Sequence, residues 1–139
     1  MQRLRLTWWR SMRAADTNIV VRLIARDDAK QVAAAERFVR QGAWVSLLVL
    51  QETLWVLDRA YGRERAEQAL VVELLLEHEN LTLEAPHVVQ DALAQFRKFG
   101  RVGFSDCLIL ATARANGHTP LGTFDKKLSK LGDVEIATS

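Results

Sequence analysis

Short apolar segments alternate with longer helical segments along the chain, and this alternation most constrains the fold. Residues 43–46, 81–84 and 119–124 have the length and apolar character of strands. Each is followed by a stretch with apolar residues at helical spacing or with a residue that opens a helix. Strands that alternate with helices predict a parallel sheet covered by helices. The sequence therefore predicts an α/β fold.

The predicted elements extend this pattern to both ends of the chain. Two further short strands are predicted at residues 13–16 and 134–136. Helices are predicted after residue 18 and over residues 29–40, 47–60, 63–79, 86–99, 106–116 and 125–131. The helix 47–60 is apolar on nearly all sides, which predicts that it is buried. Pro86 suits the first turn of its helix, and Gly62 breaks the preceding long one.

Bulk composition is consistent with one folded domain. The chain has 139 residues, and 49% of them are hydrophobic, which is ample for a core. Nineteen basic against seventeen acidic residues give a net charge of +2, which neither establishes nor opposes nucleic-acid binding. One cysteine, Cys107, excludes an internal disulfide and favours a reducing compartment, so we expect a cytoplasmic protein. No apolar stretch is long enough to span a membrane.

The first eleven residues differ from the rest of the chain. They combine three arginines with two tryptophans and show no clear periodicity. No long apolar region follows them, so they do not form a signal peptide. We expect residues 1–11 to be an extension outside the fold, Met12 to be a plausible true start, and residues 12–139 to form the domain.

Four carboxylates occupy positions that an ordinary soluble domain would not need. Asp16 and Asp125 each end a predicted strand, Asp106 begins an apolar helix, and Glu52 is the only charged residue in the segment 47–57. In parallel sheets, ligands bind beyond the carboxyl ends of the strands. An acid among apolar residues is costly unless its charge is compensated. If the four acids converge, they predict a site for a divalent cation.

Each acid taken alone could instead have a local structural role. Asp16, Asp106 and Asp125 all lie at helix starts, where an aspartate satisfies free N–H groups and the helix dipole. Ser105 is a further predicted cap for the helix of Asp106. Glu52 lies inside its helix and cannot be a cap, but it could pair with an arginine from elsewhere.

The chemistry of four converging acids is specific. Carboxylates held close together repel one another unless a cation neutralises them. Oxygen ligands suit Mg²⁺ or Mn²⁺ rather than Zn²⁺. Such an ion activates water and stabilises charge at phosphorus. The reaction class that follows is phosphodiester hydrolysis.

Four motifs in order resemble those of the PIN-domain ribonucleases, above all the VapC-like toxins of VapBC toxin–antitoxin pairs. These are MRAADTNIVVRLI with Asp16, VSLLVLQETLWVL with Glu52, FSDCLILATARANG with Asp106, and LGTFDKKLSKL with Asp125. The resemblance covers residues 12–136. It implies a PIN-like three-layer α/β/α fold, with a central parallel sheet of four to five short strands.

The same resemblance implies an activity and partners. It implies a Mg²⁺ or Mn²⁺ site formed by the four acids, cleavage of single-stranded or structured RNA, homodimers and inhibition by a cognate antitoxin. Some members carry a fifth acid two positions after the fourth, and here that position is Lys127. Thr17 or Asn18 is expected to hydrogen-bond a phosphate oxygen, and Thr123 either to do the same or to orient Asp125.

Basic residues near two of the acids are candidate contacts for RNA phosphates. They are Arg97, Lys98 and Arg101 before Asp106, and Lys126, Lys127 and Lys130 after Asp125. The three histidines are scattered without ligand spacing, and Cys107 is best interpreted as a small core residue.

Two other functions fit the same residues. The first is a non-catalytic PIN-like scaffold that binds RNA or a partner. The second is another Mg²⁺-dependent phosphoesterase, although the first strand lacks the Asp-x-Asp pattern of the commonest aspartyl-phosphate enzymes.

Overall fold

Helices form most of the computed structural model, which describes residues 12–138. The α-helices are α1 Thr17–Ala25, α2 Ala29–Val39, α3 Leu47–Tyr61, α4 Arg65–Glu77, α5 Pro86–Lys98 and α6 Phe104–Ala115. The strands are β1 Ala43–Val45, β2 Leu81–Leu83, β3 Leu121–Thr123 and β4 Val134–Ile136, with a 3-10 helix at Lys126–Leu131. The predicted alternation of strands and helices is confirmed. The expectation for residues 1–11 lies outside the described residues.

Every strand pair is parallel, as expected for an α/β fold. β1 pairs with β2, and β3 pairs with β4. The described strands form two separate pairs rather than one sheet of four to five strands. The predicted strand at residues 13–16 is reduced to a single parallel bridge between Ala14 and Trp44. This segment is too short to form a longer strand, because α1 already begins at Thr17.

Local sequence signals explain where several helices begin and end. Pro86 is the first residue of α5, where its missing N–H leaves no helical bond unmade. α3 ends at Tyr61, and Gly62 follows with a φ of 60°, a left-handed conformation that favours glycine. Among the described helices, none has the length and apolar character needed to cross a membrane.

The helix α3 is amphipathic in the fold, so the prediction that it is buried on nearly all sides was wrong. Its buried face consists of Leu50, Thr53, Leu54 and Leu57. On the opposite face, the side chains of Leu48 and Trp55 are 74% and 55% exposed. Neighbouring elements cover one side of this helix, so its apolar composition exceeds what the described domain buries.

Arg65, the first residue of α4, holds together the segment between α5 and α6. Its guanidinium donates hydrogen bonds to three backbone carbonyls, those of Phe96 at 2.6 Å, Phe99 at 2.9 Å and Val102 at 2.7 Å. It also lies 3.8 Å from the centroid of the Phe96 ring. These carbonyls belong to the last turn of α5 and the following loop, so a cation there is also favoured by the helix dipole.

We expect Arg65→Met to lower the free energy of unfolding by about 3 kcal/mol, because carbonyls bonded to a charged donor lose their partner. Urea denaturation measures this change. The matched control is Arg63→Met, which removes only an exposed pair with Glu67. It should cost less than about 1 kcal/mol. Equal losses in the two variants would show that the three carbonyl bonds contribute little.

Candidate active site

Asp106 and Asp125 form the acidic pair that the structure brings together. Asp106 lies in the first turn of α6 and is half-buried. Burial raises the pKa of the Asp106 carboxyl, the negative charge of Asp125 raises it further, and the Lys127 ammonium opposes both effects. A carboxylate held in this way favours a cation beside it.

Helix capping does not account for Asp106. α6 begins at Phe104 with Gly103 as its N-cap, so the prediction that Ser105 caps the helix was wrong. The helix simply starts two residues earlier than the sequence suggested. Within residues 12–138, the carboxylate of Asp106 forms neither a hydrogen bond nor a salt bridge. Its half-buried charge is therefore not compensated by a bond of either kind in that part of the chain.

Asp125 is held by its backbone and by its side chain. Its N–H donates to Thr123 Oγ1 at 3.0 Å, and its Oδ1 accepts from the N–H of Lys127 at 2.9 Å. It is thus the N-cap of the 3-10 helix. The hydroxyl of Thr123 thus bonds to the backbone of Asp125. A contact of Thr123 with phosphate stays a prediction.

Asp16 also caps a helix. It is the N-cap of α1, and its Oδ1 accepts from the N–H of Ile19 at 3.0 Å. Its position follows from the bridge between Ala14 and Trp44, which lies two residues before it. Asp16 therefore stands at the carboxyl end of its strand segment. Thr17 and Asn18 form the first turn of α1 directly after it.

Glu52 is exposed on α3, between Leu48 and Trp55 on the outer face. Among the described residues it has no salt bridge, so the alternative that pairs it with an arginine is not supported. The expectation that Glu52 lies in costly apolar surroundings was wrong, because water reaches its side chain. It remains available to a ligand.

The four acids do not form a ready-made cage. No group of three or more His, Cys, Asp or Glu side chains in residues 12–138 is placed to hold a metal ion. Of the elements that carry them, α3 packs against both α1 and α6, but Glu52 lies on the exposed face of α3. The donor chemistry fits Mg²⁺ or Mn²⁺, since all four are carboxylates and the half-buried Asp106 has no hydrogen bond or salt bridge among residues 12–138.

Glu84 is a further carboxylate beside the carboxyl end of β1, and it was not predicted from the sequence. It lies two residues beyond Thr82, which pairs with Trp44 on β1. Its Oε1 accepts from the N–H of Leu47 at 2.8 Å. Glu84 therefore fixes the start of α3, the helix that carries Glu52. Its place at the end of a predicted strand, like that of Asp16, was the signal that could have identified it.

The structure divides the predicted phosphate contacts into three groups. Arg97 is committed to Glu73 through a salt bridge of 2.7 Å. Lys98 and Arg101 line a surface cavity of about 430 Å³. Lys127 and Lys130 also line this cavity, whereas Lys126 is exposed and does not line it.

Cys107 is a core residue, in agreement with its interpretation from the sequence. Its side chain is fully buried, and burial raises the pKa of its thiol to about 11. A thiol with such a pKa is protonated at neutral pH and is a poor nucleophile.

Comparison with known protein families identifies the chain. The model of the PIN domain matches residues 14–134, nearly the entire sequence. The chain therefore belongs to the PIN-domain family, and the α/β fold with short parallel strands agrees with that assignment. PIN domains are typically metal-dependent nuclease domains, which supports a general nuclease role. A search of curated proteins finds no significant match.

The pKa of Asp106 predicts a pH-dependent effect of its removal. The pKa of this carboxyl is higher in the folded protein than in the unfolded chain, so protonation of Asp106 stabilises the fold. This stabilisation is complete below the pKa of the unfolded chain and is lost as the pH rises through the pKa of the folded protein. We expect Asp106→Asn in EDTA to be at least as stable as the parent at pH 7. The difference should vanish at acid pH, where both states of the parent are protonated.

Thermal melts of the variant and the parent, recorded from acid pH to pH 7, measure this difference in stability. Asp58→Asn, which changes an exposed carboxylate on α3, is the matched control and should show no comparable trend. A clear loss of stability in Asp106→Asn at pH 7 would mean that the Asp106 carboxylate supports the fold rather than a site.

Proposed function

We propose that this chain is a metal-dependent endoribonuclease that cleaves single-stranded or structured RNA and acts as the toxin of a type II toxin–antitoxin pair. The observation that carries the nuclease part is the half-buried Asp106 beside Asp125 in a chain of the PIN-domain family. The toxin part is supported by the resemblance of the four acidic motifs to VapC-like toxins. The single buried cysteine is consistent with action in the cytoplasm.

Asp16, Glu52, Asp106 and Asp125 would hold Mg²⁺ or Mn²⁺. When bound, the ion supplies an activated water and neutralises charge that develops on a phosphate. Asp106 and Asp125 would provide the negative charge that attracts the ion. Thr123 keeps the backbone of Asp125 in place.

Three further polar residues support the site from the neighbouring elements. Glu84 keeps the first turn of α3 in place through its bond to the N–H of Leu47. Thr17 and Asn18, in the first turn of α1, are candidates for hydrogen bonds to a phosphate oxygen.

Glu52→Gln tests the site most directly because Glu52 is exposed and caps nothing. In EDTA, we expect the variant to differ from the parent by less than about 0.5 kcal/mol in free energy of unfolding. With Mn²⁺ at about a hundredfold excess over its dissociation constant, the parent should gain about 2.7 kcal/mol by linkage. The variant should gain less, and its cleavage of single-stranded RNA should fall strongly.

The matched control is Glu79→Gln, an exposed glutamate in the turn before β2. It should keep both the metal-dependent stabilisation and the cleavage. Undiminished cleavage in Glu52→Gln would remove Glu52 from the site. A parent protein that cuts no RNA in either Mg²⁺ or Mn²⁺ would overturn the proposed activity and favour the non-catalytic scaffold.

A general phosphoesterase is the second alternative that the sequence left open. It would hydrolyse a small phosphate monoester such as p-nitrophenyl phosphate, whereas an endoribonuclease would cut internal phosphodiester bonds and leave this substrate intact. The cationic cavity beside the acids favours a polyanion over a small ester.

A homodimer and an antitoxin complex are supported by exposed apolar side chains. Leu48 and Trp55 on α3 and Leu70 and Leu74 on α4 are each more than half exposed. Such side chains are typical anchors for an amphipathic partner helix, and an antitoxin arginine would suit the acidic pair.

We expect sedimentation at micromolar concentration to give a dimer, and Leu70→Lys to shift it toward monomer. A strictly monomeric parent would contradict the dimer but not the nuclease. A gene for a small DNA-binding protein directly upstream, whose product blocks cleavage, would support the toxin assignment.

A further inference from the structure

Phe124 is the most exposed large apolar side chain in the described part of the chain, at 84%. It lies between Thr123 and Asp125, and the hydrogen bond between these two neighbours fixes the backbone around it. Burial stabilises most phenylalanines by roughly 2 kcal/mol, and this one forgoes that gain. Packing therefore does not account for an aromatic ring that is held in water next to a site carboxylate.

A second feature includes residues that follow Asp125 in the chain. The cavity of about 430 Å³ is lined by Lys98, Arg101, Lys127 and Lys130, together with Phe99, Gly100 and Val102. No acidic residue lines it, and within residues 12–138 none of these four cations forms a salt bridge. Four cations without a salt bridge around one small cavity attract an anion.

The chain geometry connects these two features to the acidic pair. Lys127 lines the cavity, and its N–H donates to Asp125 Oδ1 at 2.9 Å, so the cavity adjoins the acidic pair. Phe124 precedes Lys127 by three residues, which limits the distance between their Cα atoms to about 11 Å. An aromatic platform, an acidic pair and a cationic cavity thus follow one another within a short distance.

We propose that this surface is a subsite for single-stranded nucleic acid, in which a base stacks on Phe124 while phosphates of the adjoining backbone lie in the cationic cavity. The inference rests on the proposed nuclease function and deepens it by naming the residues that would recognise an unpaired strand. Stacking requires a free base face, which a single strand offers and the interior of a duplex does not. Anionic phosphates account for the cations. An acidic protein segment would use the cations but would not need the ring.

Binding of a short fluorescent oligoadenylate RNA, measured by anisotropy in EDTA, tests the stacking part without cleavage. We expect Phe124→Ala to weaken binding about five- to a hundred-fold, the effect of losing one stacked base. Phe124→Trp should retain the affinity of the parent. His118→Ala removes an exposed ring before β3, at the opposite end of that strand, and should change nothing. Melting curves confirm that each variant is folded.

The salt dependence of the same binding tests the cavity. In Lys127→Gln/Lys130→Gln, the slope of log affinity against log salt should fall by about 0.7 for each phosphate that the protein no longer neutralises. Lys30→Gln, which alters an exposed lysine on α2, should leave the slope unchanged. A duplex RNA should bind more weakly than the single strand and should not respond to Phe124→Ala.

Three outcomes would overturn the subsite: unchanged affinity in Phe124→Ala, an unchanged slope in the double lysine variant, or equal affinity for the duplex. Competition by oligoglutamate that does not depend on Phe124 would point to an acidic protein partner instead. These results are independent of cleavage. If the protein binds RNA as expected but shows no metal-dependent cleavage, the subsite is supported and the nuclease is not. If Phe124→Ala still cleaves RNA and binds it with unchanged affinity, the nuclease is supported and the subsite is not.

Discussion

The hydrogen bonds of one arginine fix the turn that leads into the helix of Asp106. Arg65 bonds to the carbonyls of Phe96, Phe99 and Val102 and so fixes the turn between α5 and α6. That turn contributes part of the cationic cavity and leads directly into the helix on which Asp106 lies. Asp106 and two of the four cavity cations, Lys98 and Arg101, therefore lie next to backbone that these three hydrogen bonds hold. This arrangement lets the loop run over the surface while its buried carbonyls keep partners.

Capping and ligand binding are compatible roles for the same aspartates. Asp16 and Asp125 each use Oδ1 to accept one backbone N–H, so each retains a second oxygen. A cap also holds the side chain in one orientation, which reduces the entropy lost when a ligand binds. Asp106 differs because it has no such bond among residues 12–138, and its raised pKa reflects burial and the nearby charge of Asp125. The acids thus combine two carboxylates that are fixed by backbone bonds with one that has no such bond.

Predictions from the sequence were accurate where local signals decide and failed where distant segments decide. The alternation of strands and helices, the start of α5 at Pro86 and the end of α3 before Gly62 are all confirmed, because each depends on neighbouring residues. The burial of α3 was mispredicted because composition cannot say which face its neighbours cover. The positions of the four acids could be read from the motifs, whereas the exposure of Glu52 could not.

The amino-acid sequence by itself determined the α/β class, the order of the elements and the carboxylates that end strands or begin helices, because periodicity and turn residues act over a few positions. Only the tertiary structure decided that Asp106 lies beside Asp125, that Arg97 is occupied by Glu73, and that Lys127 and Lys130 share a cavity with Lys98 and Arg101. Most of these relations join residues far apart in the chain. They depend on helix packing and strand register, which no local pattern encodes.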